Sequence, residues 1–431
     1  MIELNKIYEA EITSYGSTGE GVCRIDGFAV FVPQSAAGDK IKVRITKLHK
    51  SYARGEIAEI ITPSPCRTEP LCRAFGECGG CNLMHIDYQA QLKFKHDKVA
   101  SAFKKIGGFN DITVSDVVPS PEVFRYRNKV NVPVYSDGDN AYAGFYKGRT
   151  HEAVKNTDCL LQDKSNAAVI NAVAEYINKT NAAVNHIYIR TAQNRIMVSL
   201  ECDSPRLHDE DTLVTSLLEA NGNISSVILN SKKPRAIYGE LYLTDEISGI
   251  KFRIHHDSFY QINKGVCELL YKNAIDLLGD MRGKTVFDVY CGIGTISLHL
   301  AKKAKSVTGI EYLPHAVKDA RENARLNGIS NAVFYAGDAA KVLHDLFEGG
   351  DRADYVVLDP PRKGCDKALL ETLGKMSPEK IVYISCDCAT LARDAKVLTA
   401  LGYSVRSVTP FDMFPQTHHI ETAALLSRAG L

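Results

Sequence analysis

The first sixty residues alternate apolar and polar side chains over short runs, IYEAEITSYG, GVCRID, GFAVFVP, DKIKVRITKLHK and ARGEIAEII, parted by Gly-, Asp- and Ser-containing turns. Period-two alternation with such punctuation predicts five short strands, because successive strand side chains point to opposite faces. Strands this short in so small a segment suggest a five-stranded OB-like barrel. The following ITPSPCRTEPLCRAFGECGGCN is rich in Pro, Gly and Cys. It reads as a loop that needs something other than an apolar core to hold it, and as the first domain boundary.

Beyond it, helical spacing over 88–108 sets Leu92, Val99, Phe103 and Ile106 on one face and ends at Gly107-Gly108. That face needs an apolar partner. Strand patterns such as HIYIRTAQNRIMVSLE and AIYGELYLTDEISGIKFRI, with one helix near 165–180, make the stretch from 112 to about 250 an α+β region. From about residue 264 helix and strand alternate strictly, which implies a parallel, doubly wound sheet covered on both faces. The closing pair SVRSVTPFDM and ETAALLSR lacks a helix between its strands and predicts an antiparallel hairpin. The expected class is therefore multidomain α/β and β: a barrel at 1–60, an α+β domain with the cysteine loop at 61–250, and a doubly wound domain at 251–431 on which the 88–108 helix docks.

Length and composition suit such a division, with 431 residues and 45% hydrophobic content. The net charge of +1 advertises no polyanionic partner, so a nucleic-acid site must come from local clusters. One lies between Lys40 and Arg54, where Lys40, Lys42, Arg44, Lys47, Lys50 and Arg54 occur with no acidic residue among them. A second, Phe124-Arg-Tyr-Arg-Asn-Lys129, combines stacking surfaces with cations. The N-terminus has no apolar core of a leader, and no run approaches the ~18 apolar residues of a membrane span. A cytoplasmic chain without membrane contact is expected, its twelve cysteines mostly reduced.

The chemistry concentrates at strand ends. TVFDVY runs into Asp288-Val-Tyr-Cys-Gly-Ile-Gly294, and the next strands end near Glu311 and Asp338. Glycines let the backbone approach a nucleotide, and an acidic strand end accepts hydrogen bonds from ribose hydroxyls. The missing third glycine argues against a dinucleotide and for S-adenosylmethionine. Asp359-Pro-Pro-Arg362 and Ser385-Cys386 end two further strands at the same crevice. A thiol before a helix N-terminus is expected to have a lowered pKa and to be nucleophilic. Glu421, near the last strand, is the candidate base. Cys72, Cys78 and Cys81 have metal-ligand spacing, and four thiolates suit zinc or an iron-sulfur cluster alike.

Taken in order, these motifs, with Ser258-Phe-Tyr-Gln261, Tyr126-Arg-Asn-Lys129 and the N-terminal Gly-Val-x-Arg-x-Asp-Gly pattern of a TRAM domain, resemble the RNA uracil-5-methyltransferase family along nearly the whole chain, particularly its 23S ribosomal RNA branch. The resemblance implies a class I methyltransferase domain that transfers methyl from S-adenosylmethionine to C5 of a uridine, with transfer RNA as the alternative substrate to ribosomal RNA. It places Gln261, Tyr290, Thr295, Glu311, Asp338 and Asp359 around the cofactor, Cys386 as nucleophile and Glu421 as base. It also implies a 4Fe-4S cluster on Cys72, Cys78, Cys81 and Cys159, and a monomer without an obligate protein partner. Where the family usually has Pro two residues after the nucleophile, this chain has Cys388, a second thiol. The rival readings are an amino-directed methyltransferase, which needs no thiol, and a non-catalytic RNA-binding protein.

Overall fold

The computed structural model describes residues 2–136, 138, 140–148 and 150–428. Two compact units emerge: Met1–Lys98 with Phe145–Val154 and Phe414–His419, and Val99–Gly144 with Lys155–Met413 and Ile420–Leu431. No helix among the described residues is long and apolar enough to cross a membrane.

The first unit carries β1 (Ile7–Glu11), β2 (Ser14–Tyr15), β3 (Gly21–Ile25), β4 (Phe28–Val32), β5 (Lys40–Leu48) and β6 (Tyr52–Thr62), paired in the order β1-β5-β6-β4-β3-β2. Alternation in β5 sends Ile41, Val43 and Ile45 into a core with Val30, Val32 and Ala53. The expected five strands are thus six. At the fully buried Ile12 the backbone N–H turns to the Asp39 carbonyl, and the Thr13 N–H goes to Val22, each at 2.9 Å. The run therefore leaves β5, the partner of β1, and continues as β2 on β3. The basic stripe is partly neutralised by ion pairs of Lys42 with Glu59, Arg44 with Glu56 and Arg54 with Glu20.

Helix α1 (Tyr88–Ala102) buries Gln91, Phe94, Lys95 and Val99. Ile106, expected on the buried face, is exposed, because Phe103–Gly107 winds as a π-helical turn whose longer period rotates it outward. Within the first unit α1 grips residues 414–419. Lys95 Nζ donates to the Phe414 carbonyl at 3.1 Å, Lys98 Nζ to that of His418 at 2.8 Å, and Gln91 Oε1 accepts the Gln416 N–H at 3.1 Å. Asn82 adds its side-chain oxygen to the His418 N–H at 2.8 Å.

A mixed sheet, most of it in the second unit, has the order β13-β12-β11-β10-β7-β8-β9. Its strands are β7 (Lys129–Ser136), β8 (Ala141–Tyr146), β9 (Ala153–Lys155), β10 (Val184–Ala192), β11 (Arg195–Cys202), β12 (Ile224–Asn230) and β13 (Arg235–Gly239). The β10–β11 turn uses Gln193 and Asn194, both at positive φ, as a two-residue hairpin requires. Two helices belong here, α2 (Asn166–Thr180) and α3 (Glu210–Ala220), where one was expected. Asp209 caps α3 by accepting the Thr212 N–H, and Leu213 and Leu217 anchor it.

A hairpin, β14 (Tyr242–Ile247) and β15 (Ile250–His255), leads through α4 (Lys264–Leu278) into the last sheet, β18-β17-β16-β19-β20-β22-β21. Strands β16 (Thr285–Val289), β17 (Ser306–Glu311), β18 (Ala332–Ala336), β19 (Tyr355–Leu358) and β20 (Lys380–Ser385) are parallel, joined through α5 (Thr295–Ala301), α6 (Pro314–Leu326), α7 (Ala339–Glu348), α8 (Lys367–Met376) and α9 (Cys388–Ala400). As expected, the final strands β21 (Tyr403–Phe411) and β22 (Glu421–Arg428) are antiparallel, and β22 inserts between β20 and β21.

Asn323 of α6, fully buried, fastens the hairpin to this sheet: its Oδ1 accepts the Arg253 N–H at 2.7 Å, and its Nδ2 donates to the carbonyls of Arg253 and Ile293 at 3.3 and 3.1 Å. Asn323→Ala leaves those backbone groups without the amide and should cost about 1–3 kcal/mol, read as a lower urea midpoint at unchanged slope. A wild-type midpoint would show that the amide does not carry this junction.

Candidate functional site

The carboxyl ends of β16, β17, β19 and β20 meet above the parallel sheet, where ligands of doubly wound folds bind. After β16 the chain turns through Tyr290 (φ 73°), Gly292 (φ 55°) and Gly294 (φ 83°). Tyr290 is held in this left-handed conformation by its N–H to the Ile310 carbonyl at 2.8 Å, with Cys291 sharing the same acceptor at 3.0 Å. Glu311 closes the loop, one carboxylate oxygen accepting the Gly292 N–H at 3.1 Å and the other the Leu313 N–H at 2.9 Å.

This loop lines a pocket with Phe259, Tyr260, Gln261, Tyr271, Asp288, Thr295 and Asp359. Of the six residues expected around a cofactor, Gln261, Tyr290, Thr295 and Asp359 line it directly, and Glu311 touches it through Gly292. Asp338 does not line it; its carboxylate caps α7 by accepting the Lys341 N–H at 3.1 Å. Tyr271 escaped the sequence reading. Its hydroxyl meets Thr295 Oγ1 at 2.9 Å from α4, and nothing in the local pattern of α4 marks it as more than a core tyrosine.

Asp288 is buried and Asp359 half-buried, and both carry a pKa near 7. Burial raises Asp288 from its ordinary 3.8 to about 7, against the Ser297 hydrogen bonds and with a further push from Glu311. Burial and the neighbouring Asp288 raise Asp359 to about 7. The wall of the pocket is thus acidic but poorly solvated, a setting that favours a cationic ligand.

Cys386 and Glu421 come together through strand register. In the antiparallel β20–β22 ladder Ser385 faces Thr422, so the next residue of one strand end, Cys386, meets the first residue of the other, Glu421. Asp359 and Arg362 complete the group, and all three side chains bear on the thiol. Burial, then Glu421, push the Cys386 thiol up to about 11, while Arg362 opposes the rise. The expectation of a lowered pKa is therefore corrected. The helix end behind it is already engaged, because Asp387 caps α9 by accepting the N–H groups of Ala389 and Thr390 at 2.9 and 3.1 Å. Burial first, then Asp359, hold the Glu421 carboxyl well above the usual range, again against Arg362. Cys388, by contrast, is buried as the first residue of α9. Arg362 was visible only as the residue following Asp-Pro-Pro.

In the first unit Cys72, Cys78 and Cys81 are half-buried along the loop after β6. Cys66 packs with Ala36 and Leu83 and meets Ser64 Oγ at 3.2 Å. Cys159 belongs to the second unit, where its carbonyl accepts Arg125 Nη1 at 3.0 Å. Arg125, counted above among RNA-facing cations, also pairs with Asp158 at 2.6 Å and so serves the fold.

Residues 87–429 match the family described as tRNA (uracil-5-)-methyltransferase, and residues 3–58 match the TRAM domain. An uncharacterized RNA methyltransferase of Clostridium tetani is 40% identical over 100% of this chain and 98% of its own. One of Halalkalibacterium halodurans is 39% identical over 99% and 98%. Among solved structures, the Pyrococcus abyssi tRNA (uracil-54, C5)-methyltransferase in complex with S-adenosyl-L-homocysteine matches with a TM-score of 0.77 and 27% identity, covering 97% of this chain and 100% of that one.

The raised Asp288 pKa has a consequence for stability. The folded chain keeps a proton that the unfolded chain releases near pH 3.8, so stability falls as pH rises from about 4 to about 7 and is level above. Asp288→Asn should flatten that fall, by on the order of a few kcal/mol, in urea titrations at successive pH values. An unchanged pH profile in the variant would refute the assignment.

Proposed function

Because the chain belongs to the tRNA (uracil-5-)-methyltransferase family and is an S-adenosylmethionine-dependent RNA methyltransferase, we propose that it methylates C5 of a uridine with Cys386 as nucleophile and Glu421 as base. The observation that carries this reading is the β20–β22 register, which sets a thiol beside a buried carboxyl, both acted on by Asp359 of the pocket lining.

C5 of uracil is too weak a nucleophile to take a methyl group unaided. Addition of the Cys386 thiolate at C6 turns C5 into an enolate carbon that can. When bound, S-adenosylmethionine supplies the methyl group as an electrophile on a sulfonium, and the acidic pocket wall suits that charge. Gln261, Tyr290, Thr295, Glu311 and Asp359 are the residues we assign to holding it, with Asp338 in reserve behind its helix cap. Glu421 then removes the C5 proton, and the C6–S bond breaks to return the thiolate. A carboxyl whose pKa is lifted by burial is a stronger base than an exposed one, which suits this step. Arg362 favours the thiolate against burial.

We take 23S ribosomal RNA as the first substrate to test, on motif resemblance. Transfer RNA is the second reading, favoured by the substrate in the name of the solved relative. Mapping 5-methyluridine in both RNAs with and without the gene decides between them. We further assign Cys72, Cys78, Cys81 and Cys159 to a 4Fe-4S cluster, on ligand type and motif resemblance.

Cys386→Ser should abolish methyl transfer and leave S-adenosylmethionine affinity near wild type, while Cys388→Ser keeps substantial activity. Glu421→Gln should permit addition and methylation but not proton removal, so methylated RNA accumulates on Cys386 as a shifted protein band. A dead Cys388→Ser, or normal turnover by Glu421→Gln, would reverse the assignment. Protein prepared without oxygen should be brown and hold iron and sulfide; stoichiometric zinc without iron would remove the cluster from the account.

A further inference from the structure

In the antiparallel β7–β10 ladder, Lys129 faces Arg190 directly. Like charges in register across a sheet repel, and evolution ordinarily avoids the arrangement. Here it is made worse by burial. Arg190 is 2% exposed and Lys129 half-buried, so neither charge is well screened by water. Arg190 Nη2 donates to the Ser258 carbonyl at 2.7 Å, but its Nε and Nη1 have no hydrogen-bond partner among the described residues. His256, 7% exposed, adds an unpartnered Nε2 to the same neighbourhood.

The nearby carboxylates Asp245 and Asp257 offset this charge only in part, because each is engaged elsewhere. Asp257 is bound to His255, Nδ1 to Oδ1 at 2.5 Å. Asp245 accepts the Lys264 ammonium at 2.9 Å and the Tyr260 hydroxyl at 2.9 Å. His255, His256 and Asp257 have ligand atoms mutually within 4.8 Å, close enough for a metal ion. The cations argue for the opposite ligand: Lys129 and Arg190 both act on His256, and both would repel a dication. Burial, then Arg190, lower the Lys129 pKa to about 8 even with Asp257 opposing them, so the anionic surroundings are too weak to hold the charge.

The geometry points to an anion site in which Lys129 contacts a phosphodiester of the RNA backbone, with Arg190 and His256 beneath it supplying positive field. The site lies at the start of the segment 255–261 that ends in Phe259, 71% exposed, and Gln261 of the cofactor pocket. A phosphate held there fixes the RNA strand beside the reaction centre without reading its sequence. This inference rests on the RNA substrate proposed above, and it adds a specific charged group and its ligand.

The test uses the full chain, the variant Lys129→Gln and a fluorescent oligouridylate. Each phosphate neutralised contributes about 0.7 to the slope of log affinity against log salt for a single strand. Lys129→Gln should lower that slope by about this amount while S-adenosylmethionine affinity is unchanged. It should also raise the melting temperature, because it removes one of two facing cations, a gain that a merely structural lysine would not give. Inorganic phosphate, at constant ionic strength, should stabilise the wild type more than Lys129→Gln, and a diester should be confirmed as the natural source by the slope. An unchanged slope, a lower melting temperature in the variant, or equal stabilisation of both proteins by phosphate would overturn the site. So would stabilisation by zinc that His255→Ala removes. Covalent capture of 5-fluorouridine RNA by Cys386 is measured alongside: capture with an unchanged slope defeats this inference alone, and no capture defeats the catalytic reading.

Discussion

The insertion of β22 between β20 and β21 sets everything else at the reaction centre. A parallel strand at that position would carry its carboxyl end to the crevice and its first residue to the opposite edge of the sheet. Antiparallel pairing reverses this, so Glu421, the first residue of β22, meets Cys386 just after the last residue of β20. Backbone hydrogen bonds fix the pair before any side-chain attraction is considered. That matters because the side chains themselves do not attract: ionised, the thiolate and carboxylate would repel, and Glu421 raises the pKa of the Cys386 thiol.

Burial then governs the proton affinities. Asp288, Asp359 and Glu421 all sit in dry surroundings, and all are lifted out of the usual carboxylate range. Arg362 is the counterweight, lowering both Glu421 and Cys386. The same principle separates the two thiols of Ser385-Cys386-Asp387-Cys388. Cys386 lies among groups that can respond to its charge, whereas Cys388 is committed to the buried face of α9.

Much of this was legible in the sequence. Strict alternation after residue 264 announced the parallel sheet and its antiparallel finish, and acidic strand ends marked the crevice. The failures have local causes. One run of alternation at residues 7–16 concealed a change of partner at Ile12, since period two persists through a corner. Periodicity could not foresee the π-helical turn that exposes Ile106. The thiol pKa was misjudged in direction because burial and the approach of Glu421, which raise it, come from folding and are not written in the local sequence. Lys129 was visible as a cation, but its partner Arg190 lies sixty residues on and only strand register brings them together.

The grip of α1 on residues 414–419 bears on how the chain comes into being. Lys95, fully buried, hydrogen-bonds to Phe414, and Asn82 to His418, 336 positions away. A ribosome adding about 5–20 residues per second needs on the order of tens of seconds to cover such a gap. Throughout that time the first unit exists without the strip that covers its lysine, exposing an ammonium and an apolar helix face together. Residues 414–419 thus close the unit only after they have been synthesised, as a late-arriving latch.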